Sequence, residues 1–385
     1  MRVVVVGAGV AGLALARGLL NAGHEVEVYE EAPELRAAGG SVTLWPGSTA
    51  ILDELKADHS RVGRRLETME SWATDGRRLF TVDLTAAERR YGHPSVHVAR
   101  RELVELLAEG VPVTYGVPAE QVIPERAEVR LADGRTVRGD VLVGADGRRS
   151  VVRRALWGRD PGVLSGWVTW QGFTTAPTVL TGQGRAVMIP GPKGLCGLIP
   201  AGGGRLLWWF DVRSRPGEPF WAGDPRVAER LRERFGGWAD PVPAVLETMR
   251  DVDFFPHHRQ WIRGVWGKGP VTLAGDAAHT MPPTMAQGAN QALEDAWFLA
   301  RALSGSPARA LSGSLAGSPA PADVAAALRG YERARAKVVR RPARLAATEV
   351  TNMHGPGAGL LSDRVATRFY TTFLRRVSTY LLTAS

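Results

Sequence analysis

The sequence predicts an α/β fold in which a parallel sheet is interrupted by an inserted, mostly antiparallel sheet and followed by C-terminal helices. Three observations lead there. An apolar run at residues 3–6 breaks into spaced glycines and then into helical spacing. Two later apolar strands each end in a glycine and an aspartate, and the segment between them alternates strand-like runs with Gly/Pro turns.

The first element is Val3-Val4-Val5-Val6, a buried-strand pattern that turns directly into Gly7-Ala8-Gly9-Val10-Ala11-Gly12. In a GxGxxG turn of this kind the first glycine permits the bend and the second lets a pyrophosphate approach the backbone. The third lets the helix pack closely on the strand. The following helix, Leu13 to Leu20, aims unpaired N–H groups and its positive end at the anion, and the turn residues Gly7, Gly9, Val10, Ala11 and Gly12 are the candidate cofactor contacts. Asn21-Ala22-Gly23 stops it, and a second strand runs from His24 to Glu30, with Glu31 beside it. A carboxylate about twenty residues past the glycines suits the ribose hydroxyls of a dinucleotide.

Gly144-Ala145-Asp146-Gly147-Arg148-Arg149-Ser150 follows the strand Val141 to Val143, and Gly275-Asp276-Ala277-Ala278-His279 follows Val271 to Ala274. Each sets an aspartate just past the carboxyl end of a strand, where ligands gather in parallel sheets. Further on, Pro282 and Pro283 delay a helix that starts near Gln287 and shows its spacing in Ala292, Ala296, Leu299 and Leu303. Free N–H groups at that start, around Gly288, Ala289 and Asn290, would stabilise negative charge.

From Gly166 to Arg213 the texture changes. Strands are expected at Trp167–Phe173, Ala186–Ile189, Leu195–Ile199 and Arg205–Val212, with a helix from about Asp224 to Phe235. Alternation puts Leu195, Gly197 and Ile199 on one face of their strand, as it does Arg205, Leu207, Trp209 and Asp211. A Ser/Gly/Ala/Pro stretch from Ser304 to Ala322 reads as a flexible, exposed connection. The basic run from Tyr331 to Arg341 reads as the solvated face of a late helix. The apolar positions Leu360, Leu361, Val365, Phe369, Phe373, Val377 and Leu381 read as an apolar stripe at helical spacing, buried against the substrate domain, across a dimer interface or in a membrane interface.

Composition excludes several function classes. Cys196 is the only cysteine, so no intrachain disulfide, cysteine metal cluster or CxxC pair exists, and His257-His258 lack a third ligand at metal spacing. The formal charge of +9 is spread along the chain, mostly on arginine, which does not make a nucleic-acid surface. No run of eighteen apolar residues occurs and the N-terminal apolar run has no cleavage site, so the expected location is the cytoplasm, without stable membrane insertion.

The three motifs together resemble the class A flavoprotein monooxygenases, FAD-dependent aromatic hydroxylases of the para-hydroxybenzoate hydroxylase type: the glycine fingerprint, GADGxxSxVR ending at Arg153, and GDAAHxxPP followed by AQGANxALEDA. The resemblance runs from the first strand to beyond Asp295. It implies a Rossmann-like FAD-binding domain of residues 1–158 and 262–345, a substrate domain of residues 159–261 and a C-terminal helical segment of residues 346–385. It implies that Glu30 holds the FAD ribose, Asp276 the ribityl chain and Asp146 the region shared with a visiting nicotinamide, while Arg100 reaches the flavin phosphates, with Arg101 one residue away. Gly275 and the residues Gln287 to Asn290 complete the cofactor set. His279 is expected to make a structural hydrogen bond rather than to act as a base, and where many relatives have glycine this chain has Ala286.

The implied chemistry takes hydride from NADH or NADPH, reacts the reduced flavin with O2 to a C4a-hydroperoxide, and hydroxylates a small electron-rich aromatic substrate. The chain looks closest to the short members typified by FAD-dependent urate hydroxylase, through Ser41 to Pro46, Trp170-Gln171-Gly172 and Trp208 to Asp211. Where that type has an arginine, a tyrosine and an aspartate, this chain has Leu195, Leu207 and Thr284. Together with Trp209 and Pro283 these predict an apolar pocket for a hydrophobic aromatic such as a phenol, quinoline or polyketide ring. Other readings are a same-fold epoxidase or ring-opening oxygenase, and an FAD-binding redox scaffold without oxygenase activity. A halogenase lacks support because its WxWxIP signature is absent. A monomer or a homodimer fits equally.

Overall fold

The computed structural model describes residues 1–35, 40–158, 162–175, 180, 183–222, 224–305, 321–352 and 361–383. Five parallel strands form the sheet that the first motif predicts. Their order is β18 (Val271–Leu273), β12 (Val141–Gly144), β1 (Arg2–Val6), β2 (Glu25–Tyr29) and β8 (Val113–Thr114). Both faces are covered, which is why these strands read as unbroken apolar runs: Val3, Val4, Val5, Val141, Leu142 and Val143 are wholly buried. The chain leaves β1 toward β2 on one side and returns to β12 on the other, so the strand order reverses between β1 and β12. Helix α1 (Val10–Asn21) follows β1 and packs on α9 (Gly288–Leu303), where Gly18 lies so close to Ala300 that a Cβ would sit 3.1 Å from the alanine methyl.

The inserted sheet has seven strands in the order β17 (Asp253–Arg259), β13 (Val163–Thr174), β16 (Arg205–Arg213), β15 (Gly194–Gly202), β14 (Arg185–Gly191), β5 (Thr68–Trp72) and β6 (Arg78–Asp83). The four expected strands lie within β13 to β16, and all neighbours are antiparallel except β14 and β5. Two strands of this sheet therefore come from residues 68–83, far before the 159–261 segment. One face, with Cys196, Leu198, Leu206, Trp208 and Phe210, packs on α6 (Val227–Phe235) and α7 (Val242–Thr248). Helix α6 starts at Val227 rather than Asp224, because Asp224 is used in the turn before it, accepting from Arg226 N and Arg230 Nε.

Two small antiparallel sheets come from residues 41–138: β3 (Ser41–Leu44), β7 (Ser95–Ala99) and β4 (Arg64–Leu66), and β9 (Ala119–Ile123), β10 (Glu128–Leu131) and β11 (Thr136–Arg138). Around them run α2 (Pro46–Glu54), α3 (Thr85–Tyr91), α4 (Arg100–Ala108), α5 (Val151–Trp157) and the single turn α8 (Asp276–His279). His97 on β7 is buried between Ser41 Oγ at 2.6 Å and Thr43 Oγ1 at 2.9 Å; burial lowers its pKa to about 3, so it ties β3 to β7 as a neutral ring.

The C-terminal region corrects two expectations. Helix α10 (Pro321–Ala346) is not a solvated basic face: Arg333, Lys337 and Arg341 are exposed, but Tyr331, Glu332 and Arg335 are wholly buried. Charge alone did not separate them, because Arg335 finds its carboxylates on another helix, 40 and 41 residues away in sequence. The expected apolar stripe is also split. Leu361, ahead of helix α11 (Asp363–Arg376), and Val365 and Phe369 on it are exposed; the helix buries Ala366 and Leu374, while Val377 and Leu381, beyond a break before α12 (Thr379–Thr383), are buried. Leu360 lies outside the described residues, as does most of the Ser/Gly/Ala/Pro connection.

Candidate active site

The glycine turn lies at the reversal point. Gly7 has φ +104° and abuts the second motif: a Cβ there would stand 2.4 Å from Ala145 O, and one on Gly12 would stand 1.9 Å from Gly7 O. Gly9 differs, because a Cβ on it would meet nothing within 4 Å. Packing within the chain thus explains Gly7 and Gly12, and the open approach at Gly9 fits a bound phosphate. Gly9 is also the start of α1 and makes no side-chain cap, leaving the N–H groups of Val10, Ala11 and Gly12 directed into that space. Glu30, just past β2, is buried with its carboxylate accepting from Ala8 N at 2.7 Å and Ala32 N at 3.0 Å, which fixes it at the mouth of the turn. Glu31 is exposed.

The other two motif loops converge on the same crevice. Asp146 Oδ2 accepts from Val151 N at 2.6 Å, capping α5, while its Oδ1 is buried without a hydrogen bond among the described residues; burial raises this carboxyl's pKa. Arg153 joins the loops, donating from Nη1 to Ala277 O at 2.9 Å and from Nη2 to Arg148 O at 2.5 Å. Gly275 has φ +61° and donates its N–H to Asp295 Oδ2 at 2.8 Å, and Asp276 is exposed at the next position. His279 is fully buried with Nε2 2.6 Å from that same Asp295 Oδ2, which is the expected structural bond; its Nδ1 is unpartnered among the described residues.

Helix α9 starts as its sequence predicts, with Gln287 at the cap and Gly288 the first helical residue. Ala286 just before it has φ +48°, the left-handed conformation that glycine takes without strain. Gln287 Nε2 is buried and unpartnered among the described residues, and Gly288 has open space where a Cβ would be. Asn290 is spent inside the protein: it donates to Thr43 O and to Ala286 O, each at 2.7 Å, and accepts from Trp45 N at 2.9 Å. It braces the helix start against the 41–46 segment, and its side chain is committed there. Ala289 is half-buried in the first turn of α9.

Arg100 opens α4, exposed, with its N–H given to Gly40 O at 3.1 Å. Its neighbour Arg101 is held by Glu105 at 2.7 Å, which leaves Arg100 as the side chain of the two available to a ligand.

Of the residues expected to contact substrate, Leu195 and Leu207 are buried, Trp209 and Thr284 are half-buried and Pro283 is exposed. The Trp209 ring lies across Gly197, where a Cβ would come within 2.0 Å of it. Thr284 faces the end of α10, donating to Ala346 O at 3.3 Å. Leu195 is wholly buried, so it fills core rather than lining open space, and the expectation of an apolar face is incomplete. The same face carries Thr169, Asp211 and, on β17, His257, all buried and joined to Glu349. His258 points elsewhere, 3.1 Å from Arg148 Nη1.

Sequence reasoning missed the support beneath these loops. Arg335 gives Nε to Asp295 Oδ1 at 2.7 Å, Nη1 to Glu294 Oε2 at 2.9 Å and Nη2 to Gln291 Oε1 at 2.8 Å. Burial opposes ionisation of Asp295, but His279 and Arg335 hold its carboxyl below the usual range. The only sequence signal is the carboxylate pair Glu294-Asp295 on the inward side of a predicted helix, which demands a buried cation.

The geometry is that of a dinucleotide crevice with three motif loops at one sheet edge, and a family model described as FAD binding domain matches residues 1–314. The chain belongs to this family. Among its relatives, the 3-amino-4-hydroxybenzoate 2-monooxygenase PtnB3 of Streptomyces platensis is 34% identical, covering 88% of this chain and 85% of that protein. An FAD-dependent urate hydroxylase of Mycolicibacterium vanbaalenii is 29% identical over 87% and 84% of the two chains. The crystal structure of Klebsiella pneumoniae HpxO complexed with FAD and uric acid superposes with TM-score 0.81 at 26% identity, covering 98% of this chain and 93% of that one. Family, fold and motifs place the chain among the FAD-dependent aromatic monooxygenases, and no helix among the described residues is long and apolar enough to cross a membrane.

Proposed function

We propose that this FAD-binding-domain protein hydroxylates a small, electron-rich, largely hydrophobic aromatic substrate, using O2 and NADH or NADPH. The observation that supports the reading most is the convergence of unpartnered buried polar atoms, Asp146 Oδ1, His279 Nδ1 and Gln287 Nε2, on the loops around one crevice. An unpaired buried polar group costs about 1–3 kcal/mol, which a polar cofactor placed there offsets. Bound FAD would supply the redox chemistry, accepting hydride from the nicotinamide and delivering one oxygen atom of O2 to the ring as the other leaves in water.

The chain's own residues bind and orient. Gly9, Val10, Ala11 and Gly12 offer N–H groups to the pyrophosphate, Glu30 takes the ribose hydroxyls, Arg100 reaches the phosphates and Asp276 the ribityl chain. The N–H groups of Gly288 and Ala289 at the start of α9 stabilise negative charge at the pyrimidine end of the flavin. Leu207 and Trp209 exclude water from the reacting face.

The test is direct. Denatured protein should release FAD and not FMN, Asp276→Ala should bind it at least tenfold more weakly, and an aromatic substrate should accelerate NADH or NADPH oxidation with an oxygenated product. Release of FMN or of no flavin would overturn the reading; flavin turnover with no oxygenated aromatic across a broad screen would leave a redox protein of another kind.

A further inference from the structure

Four buried side chains on the substrate-facing side of the seven-stranded sheet have no part in the cofactor crevice. Thr169 on β13, Asp211 on β16, His257 on β17 and Glu349 after α10 are each at most 4% exposed. Thr169 Oγ1 donates to Asp211 Oδ1 at 2.5 Å and is 2.7 Å from His257 Nε2, which itself lies 3.7 Å from Asp211 Oδ1. The other ring nitrogen, Nδ1, is 3.0 and 3.1 Å from the two oxygens of Glu349.

Their place in the fold matters as much as their chemistry. Asp211 is the register partner of Leu195 on one side and of Thr169 on the other, two residues along from Trp209. Glu349 belongs to a short segment that also contacts Thr284: Thr284 Oγ1 donates to Ala346 O at 3.3 Å, and Thr351 Oγ1 donates to Thr284 O at 3.4 Å. The cluster thus bridges the two sides of the substrate region, Leu195 on the sheet and Thr284 beside the start of α9. Glu349 has φ +52°, a conformation costing about 1–2 kcal/mol that persists only where the surroundings enforce it.

Burial alone would lower the His257 pKa, but hydrogen bonds and charge from Asp211 and Glu349 overrule it and raise it to about 9. Two carboxylates around one imidazolium leave a net charge of −1 within this group. A carboxylate offers about four acceptor positions. Asp211 Oδ1 takes both contacts from the cluster, and Oδ2 makes no hydrogen bond among the described residues.

We propose that Asp211, held by Thr169 and His257 and backed by Glu349, is a substrate subsite that accepts a hydrogen bond from a ring hydroxyl or ring amine of the aromatic substrate, and that it disfavours a carboxylate at that position. The proposal rests on the aromatic-hydroxylase reading and narrows it: the substrate is a hydrophobic aromatic with a donor group, seated against Leu207 and Trp209 with its donor toward Asp211. His257 and Glu349 are positioning residues, and Asp211 touches the substrate.

The holoenzyme is titrated with three pairs of ligands, phenol and anisole, 8-hydroxyquinoline and 8-methoxyquinoline, 1-naphthol and 1-methoxynaphthalene, following the flavin absorbance change without turnover. The wild type should bind the hydroxylated member of a pair about tenfold more tightly, a difference of about 1.4 kcal/mol. Asp211→Asn should abolish that preference by weakening the hydroxylated ligand alone, and Thr169→Val, which removes the hydroxyl anchoring Oδ1, should reduce it about threefold while FAD content stays unchanged. Equal binding within every pair by the wild type, or an undiminished preference in both variants, would overturn the subsite and leave the hydroxylase reading intact. If none of the six ligands perturbs the flavin, the subsite as described is overturned, and the hydroxylase reading is judged separately by the broad substrate screen.

Discussion

Arg335 and Asp295 meet at 2.7 Å with both side chains wholly buried, one on the late helix α10 and the other on α9 directly beneath the Gly275 turn. The second oxygen of Asp295 receives the Gly275 N–H and the His279 ring, so a residue from the C-terminal third fixes the loop that carries Asp276. Arg335→Met should therefore be severe. Leaving Glu294 and Asp295 without their cation costs about 3–5 kcal/mol, and the apo-protein's thermal midpoint should fall accordingly. FAD affinity should fall with it, measured by equilibrium dialysis at a temperature where the variant remains folded. A midpoint within 2 °C of wild type would refute the coupling, since about 1 kcal/mol already shifts a domain of this size by roughly that much.

Gly9 and Gly12 separate cofactor contact from packing. Gly12→Ala drives a methyl into Gly7 O and should destabilise the apo-protein by several kcal/mol. Gly9→Ala meets no atom of the chain, so it should leave apo-protein stability within about 0.5 kcal/mol while weakening FAD binding at least tenfold. Chemical denaturation and flavin titration of the two variants decide it. An unstable Gly9→Ala, or one that binds FAD normally, would contradict the assignment.

Ala286→Gly should be stabilising. A left-handed alanine costs roughly 1 kcal/mol or more, and the flexibility that glycine adds to the unfolded chain returns about 0.4–1 kcal/mol of it. The net gain is a few tenths of a kcal/mol, visible as a small rise in denaturation midpoint. Ala286→Val at the same place should lose at least 1 kcal/mol, since a β-branched residue tolerates that conformation least. If valine were as stable as alanine, the geometry before α9 would have to be revised.

His257 makes a pH prediction whose sign is fixed by its raised pKa. Its folded value of about 9 lies above the ordinary 6.5, so its contribution is complete below about pH 6.5 and is lost as pH rises through about 9. The full effect is on the order of 3 kcal/mol. His257→Gln should flatten the fall in stability between pH 7 and 9.5, measured by urea denaturation. A wild type whose stability is level across that window, or a variant with the same slope, would show that the ring is not held as a cation between Asp211 and Glu349.

The parallel sheet was legible because its signals are local. The valine run, the three glycines and the aspartates after strands each need only a few neighbouring residues to declare themselves, and Gly7, Gly12 and Gly275 adopt the backbone geometry those motifs demand. The helix start at Gln287 was equally local, set by two prolines. What stayed hidden depended on partners distant in sequence. Arg335 looks like any other arginine in a basic run until Glu294 and Asp295 are brought beside it, and Glu349 carries no motif at all. The outward turn of Val365 and Phe369 escaped notice for a related reason: periodicity gives the spacing of an apolar stripe but not which side the rest of the protein occupies. Alternation places Asp211 on the face of Leu207 and Trp209, but nothing local in the sequence brings Thr169, His257 and Glu349 beside it.

The parallel pairing of β14 with β5 has a consequence for engineering. A chimera that exchanges only residues 162–259 with a relative, to transplant its substrate preference, would leave the host's β5 and β6 to dock along a foreign strand with no turn to set their register. Mispairing by one residue would exchange the inward and outward side chains of both strands. Excised alone, the same segment would present β14 as an uncapped edge and recruit other copies. The transferable unit is discontinuous, and a successful graft would have to carry residues 68–83 together with the segment they pair with.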